Sequence, residues 1–114
     1  MNLSFHLTFD GRCEAAFAFY ERCLGGTIVT MLRYRDSPMA AQTPPEWQDK
    51  ILHATINIGR NALAGADALG KDYAPPKGFF VLLDIDDPSV RFGVLVDRFG
   101  IPWEINCGQP VATS

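Results

Sequence analysis

Several chemistries are ruled out by scarcity before any pattern is sought. The chain has three cysteines, Cys13, Cys23 and Cys107. They are odd in number and show no CxxC spacing, which fits reduced thiols in a cytoplasm better than a disulfide frame or zinc knuckle. No basic cluster offsets the net charge of −3, so the footprint of a nucleic-acid binder is missing. The longest apolar runs, such as Phe79 to Leu83, fall far short of a membrane span. No basic segment followed by a long apolar stretch opens the chain, which argues against a signal peptide. Neither a phosphate-cradling glycine loop nor a nucleophile elbow is present. What is there is ordinary: 114 residues, 47% apolar and 20% charged, the dimensions of one domain with one core.

Leu3, Phe5, Leu7 and Phe9 alternate with Ser4, His6 and Thr8, a strand with one apolar and one polar face. Asp10 is placed to cap the helix that follows, whose apolar positions Cys13, Ala16, Phe17, Tyr20 and Leu24 keep the three-four spacing of a buried stripe. Gly25-Gly26 ends that helix. Thr27 to Tyr34 is strand-like and rich in β-branched residues. From Arg35 to Asp49 the period disappears around Pro38, Pro44 and Pro45. This predicts a long loop with a turn near Glu46-Trp47, either a lid or a simple insertion. Leu52, Ala54, Ile56 and Ile58 then alternate with His53, Thr55 and Asn57. A turn at Gly59-Arg60-Asn61 returns the chain as a small-residue strand, Ala62 to Ala66.

Residues 67–77, with Gly70, Pro75 and Pro76, read as a linker between a first part, 1–66, and a second, 78–107, with a tail at 108–114. Phe79, Val81, Leu83 and Ile85 predict a well-buried strand. Asp86-Asp87-Pro88-Ser89 leads directly into Phe92-Gly-Val-Leu-Val96, a strand. The turn Asp97-Arg98-Phe99-Gly100 joins it to a return strand in which Trp103, Ile105 and Cys107 alternate with Pro102, Glu104 and Asn106. A mid-strand carboxylate such as Glu104 is either a solvent-face residue or a group aimed into a cavity. Cys13 and Cys23 read as packing residues. Tyr34, Trp47 and Trp103 fit a pocket lining or the core.

Three segments carry a resemblance: His6 to Tyr20 with Leu24-Gly25-Gly26, Asp49 to Ala54, and Phe92 to Cys107. Together and in this order they resemble the vicinal oxygen chelate (glyoxalase/bleomycin-resistance/dioxygenase) superfamily, in its PhnB-like branch. The resemblance implies an α+β fold of paired βαβββ modules, glyoxalase-like, with curved mixed sheets around a cavity and usually a homodimer. This chain departs from that plan, because four residues stand where the second module would carry a helix and one strand, about two dozen residues at average lengths. An apolar face left without its helix calls for a second subunit as cover.

Superfamily enzymes hold a divalent metal on inward-facing His and Glu side chains and use it as a Lewis acid. Carried over residue by residue, His6 and Glu104 fall at two of the four ligand positions. The strand at Ala62 to Ala66 offers only a small residue and the Phe79 strand only Phe80. Two ligands are fewer than the three that a catalytic site normally needs. The expectation is therefore a binding protein for a small, partly apolar molecule, with no cofactor required, in the cytoplasm, and with no nucleic acid or membrane as partner. His6, His53, Trp47 and Trp103 are its candidate ligand-binding residues. The alternative is a glyoxalase- or dioxygenase-type enzyme on Zn, Ni, Mn or Fe held by His6 and Glu104, with His53 or a partner subunit's residue as a third ligand and Glu104 as general base.

Overall fold

The computed structural model describes residues 1, 3–68, 70–85 and 93–107, and side chains for all of these except Ile85, Asn106 and Cys107. The Asp86–Ser89 junction, Phe92 and the 108–114 tail therefore lie outside the described residues. The chain divides into two compact units, Met1–Ala74 and Pro75–Ser114.

The first unit runs β1 (Phe5–Phe9), α1 (Cys13–Leu24), β2 (Thr27–Arg33), β3 (Ile51–Ile58) and β4 (Asn61–Asp67). Its sheet has the order β1-β4-β3-β2, with β1 parallel to β4 and the other pairs antiparallel. The alternation read along β1 and β3 decides which face α1 covers. Leu7, Phe9, Ala54, Ile56 and Leu63 are buried together with the helix stripe Cys13, Ala16, Phe17 and Tyr20. Phe17 stands edge-on to Phe9, with ring centroids 6.1 Å apart, and tilts against Tyr20 at the same centroid distance. Gly65 makes that packing feasible, since a Cβ there would sit 2.7 Å from Phe17 Cζ. Gly25 closes the helix in the left-handed conformation, at φ 71°.

The start of the helix corrects the sequence expectation. Asp10 does not cap it; its carboxylate binds its neighbour Arg12. The N-cap position is Arg12, whose side chain makes no capping bond. The first amide of the helix, and that of Gly11 just before it, are taken instead by Asp67, the last residue of β4. Its Oδ1 accepts from the backbone N–H of Cys13 at 2.9 Å and of Gly11 at 3.1 Å.

The 34–50 connection is a loop of three single 3-10 turns, Tyr34–Asp36, Ala40–Gln42 and Pro45–Trp47. Its two ends are hydrogen-bonded to each other, Tyr34 N to Lys50 O at 2.9 Å and Arg35 N to Gln48 O at 3.0 Å. Arg35 and Asp49 add an ion pair. Inside the loop, the Gln48 side-chain amide donates to the carbonyls of Ala40 and Thr43.

The second unit carries β5 (Val81–Ile85), β6 (Gly93–Val96) and β7 (Pro102–Cys107) in the order β5-β7-β6. β5 runs parallel to β7, and β7 antiparallel to β6. These are the relations of β1 to β4 and of β4 to β3 in the first unit. Asp97 builds the turn between β6 and β7. Its Oδ1 accepts from Phe99 N at 2.8 Å and Ile101 N at 3.0 Å, and its Oδ2 from the Trp103 indole N–H at 2.9 Å. The strand expected from Phe79 onward is found, but shorter and less buried than expected: β5 begins at Val81, Phe79 is exposed, and Val81 and Leu83 are half-buried. Alternation gave the strand correctly. Burial needs a covering element, and the described residues of this unit include no helix.

Candidate functional site

Because α1 takes one face of the first sheet, the other face is where this unit can meet a ligand. Register puts its residues in rows. His6 on β1 pairs with Ala64 on β4, which pairs with Thr55 on β3, and Thr8 pairs with Ala66. His53, two residues before Thr55, points to the same side. The rings of His6 and His53 are stacked with centroids 6.5 Å apart and an interplanar angle of 26°. Both are exposed, as is Thr8, while Thr55, Ala64 and Ala66 are half-buried. The face is thus two imidazoles and two hydroxyls over a floor of alanines. Partial burial, then the nearby His53, lowers the pKa of His6 below the ordinary histidine value. At neutral pH this keeps His6 an uncharged ring with one donor and one acceptor nitrogen.

The remaining candidates belong to other elements of the chain. Trp47 sits half-buried in the last turn of the 34–50 loop. Trp103 and Glu104 belong to the second unit. Trp103 is buried and its indole N–H is engaged by Asp97. Glu104 is half-buried on the opposite face of β7, in register with Leu82 and Val94. Tyr34 is core: its hydroxyl donates to the backbone carbonyl of Asp67 at 3.1 Å, and burial, then Asp67, raises its pKa. Cys13 is buried as expected, and burial, then Asp67 and Glu14, push its thiol pKa far up, so it is an inert packing group. Cys23 departs from its packing assignment and is exposed.

A metal of the kind the resemblance implies can be tested against the donor set. Among the described residues no three His, Cys, Asp or Glu side chains gather into a site. Two imidazoles fall short of the three protein ligands of a catalytic centre, so the described residues do not fit such a metal.

The residue the sequence reading missed is Asp67. It is 2% exposed, and besides the Gly11 and Cys13 amides on Oδ1 its Oδ2 accepts from Ile51 N at 2.9 Å. One carboxylate thus joins the end of β4 to the start of α1 and the start of β3. Lys50, next to Ile51, donates to the Gly11 carbonyl at 3.0 Å. The group is structural: it holds in place the strands that display His6 and His53. The only local hint was an acid closing a run of small residues.

Comparison with known proteins places this geometry in context. No known family model matches the chain. It is 28% identical to protein YjdN of Escherichia coli K12 over 139 residues, covering 93% of this chain and 95% of that protein. The crystal structure of PA1353 from Pseudomonas aeruginosa superimposes with a TM-score of 0.80 at 31% identity, covering 96% of this chain and 99% of that one. The PhnB protein of Bacillus cereus superimposes with a TM-score of 0.76 at 16% identity, covering 95% of this chain and all of that one, which speaks for the fold alone. No helix among the described residues is long and apolar enough to cross a membrane.

Proposed function

We propose, on the premise that this chain belongs to the family of the Pseudomonas aeruginosa protein PA1353 and has a PhnB/YjdN-like fold, that it binds a small, partly apolar molecule on the helix-free face of its first sheet. The observation that carries this reading is that both of the chain's histidines stack on that one face. A face meant only for solvent has no need of two stacked imidazoles, that of His6 partly desolvated, over alanines. Flat rings offer apolar contact, their nitrogens and the Thr8 and Thr55 hydroxyls offer hydrogen bonds, and Ala64 and Ala66 leave room. That is the mixture of apolar lining and a few polar groups typical of small-molecule sites.

The second unit reads as a βαβββ module without its helix and second strand. Its strand pairings repeat those of β1, β4 and β3. Residues 86–92 occupy the connection that residues 10–50 fill in the first unit. The 139-residue alignment with YjdN is longer than this 114-residue chain, so that relative carries residues with no counterpart here. Phe79, Phe80, Leu82, Val94, Leu95 and Val96 are exposed, Leu82 and Val94 on one face of this sheet and Leu95 on the other, which supports a homodimer in which a second copy supplies cover.

Thermal-shift measurements test the binding role, using a panel of small aromatic and oxygen-rich organic molecules and, separately, Ni(II), Zn(II), Mn(II) and Fe(II). The reading expects at least one organic compound to raise the Tm, and His6→Ala or His53→Ala to abolish that rise while leaving the protein folded. A panel with no stabilising compound, or stabilisation unchanged in both variants, overturns it.

A further inference from the structure

The outer edge of β6 has no strand beside it among the described residues, and its backbone geometry shows what would fit there. Asp97 N–H donates to the Ile101 carbonyl at 2.9 Å. Hydrogen-bonded pairs alternate along an antiparallel ladder, so this bond sets the phase of the β6–β7 pairing. Leu95 with Trp103 and Gly93 with Ile105 are the bonded pairs. Val96 with Pro102 and Val94 with Glu104 are not. Pro102, which has no N–H, falls where none is needed. The N–H and C=O groups of Val94 and Val96 therefore point away from β7.

Edge strands in stable folds are normally protected by charge, proline or bulges. Of the two edge strands of the first sheet, β2 has a register shift between Ile28 and Thr30 and ends on Arg33, while β1 interleaves the polar His6 and Thr8 with its apolar residues. β5 carries Asp84. β6, Gly93-Val94-Leu95-Val96, has no such device, and its three larger side chains are 51%, 44% and 65% exposed. In the first unit the corresponding side of β3 is occupied by β2.

We propose that the β6 edge pairs, antiparallel, with β6 of a second copy of this chain, about a two-fold axis at Leu95. Val94 then faces Val96 of the other copy, and all their outward N–H and C=O groups are satisfied. The two Leu95 residues meet at a non-bonded position, where Cα atoms approach to about 4.5 Å and side chains touch. An uncharged strand creates no like-charge pair when it meets itself. The two three-stranded sheets become one continuous sheet. This inference rests on the homodimer reading above and names its seam.

Light scattering on the eluting protein gives the test. Val94→Pro removes an N–H that the β6–β7 ladder does not use and is expected to convert dimer to monomer, whereas Val94→Thr, which keeps that N–H, stays dimeric. A folded Val94→Pro variant that remains dimeric overturns the β6 seam and leaves the homodimer standing. A monomeric wild type overturns both. Should Val94→Pro fail to fold, amide exchange on the wild type decides. Protection of the Val94 and Val96 amides that grows with protein concentration supports the seam, and fast exchange at both, at every concentration, overturns it.

Discussion

Replacing Asp67 probes the frame that holds the candidate site. The carboxylate is buried and accepts three backbone N–H groups, from Gly11, Cys13 and Ile51. Asp67→Ala leaves all three without a partner in a closed site and uncaps α1. A hydrogen bond to a charged group contributes about 1.5–3 kcal/mol, and losing an N-cap costs about 0.5–2 kcal/mol. These losses overlap, because the Cys13 bond is the cap, and water can enter an alanine-sized gap. The expected destabilisation is therefore about 3–5 kcal/mol, in the range reserved for broken buried networks. Asp67→Asn keeps one oxygen for Gly11 and Cys13 but turns an NH2 toward Ile51 N–H, so its cost is smaller, about 2–3 kcal/mol. Urea unfolding followed through helix circular dichroism gives both numbers, since α1 lies in the first unit. If Asp67→Ala unfolds at the wild-type midpoint, the carboxylate does not hold the frame and the reasoning fails.

Two further outcomes follow from the same unit. Gly65→Ala drives a Cβ to within 2.7 Å of Phe17 Cζ and 2.9 Å of Cε1 and is expected to lower stability by about 1–3 kcal/mol; an unchanged urea midpoint would contradict the packing described. His6 has a folded-state pKa below its unfolded value, so the unfolded chain binds more protons between the two. Its contribution to stability is therefore present above the ordinary histidine pKa and is lost as pH falls through that value toward the lowered one. In an NMR titration the His6 ring should titrate below 6.5 and move upward in His53→Ala; a His6 ring titrating at or above that value would sink the reading.

Much of the first unit was legible because its signals are local. The three-four spacing picked out Cys13, Ala16, Phe17 and Tyr20, all buried, and alternation put His6 and His53 on polar faces. Whether those two faces are one face depends on register across β4, which no single strand records. Asp67 was hidden for a similar reason. Its partners Gly11, Cys13 and Ile51 lie 56, 54 and 16 residues away, while Asp10, adjacent to the helix, offered a plausible cap. Trp103 was rightly placed in an apolar stripe, yet its bond to Asp97 crosses a turn whose shape the residues only suggest. The exposed Phe79 marks a different limit. Periodicity reports which side chains share a face but not whether anything covers it.

The measurement that bears most directly on the binding role is a fragment titration followed by backbone and histidine-ring NMR signals. Fragments that bind are expected to shift the His6 and His53 rings together with the amides of Thr8, Thr55 and Ala64. The binding role of this face is contradicted if bound fragments leave those signals in place and perturb others instead.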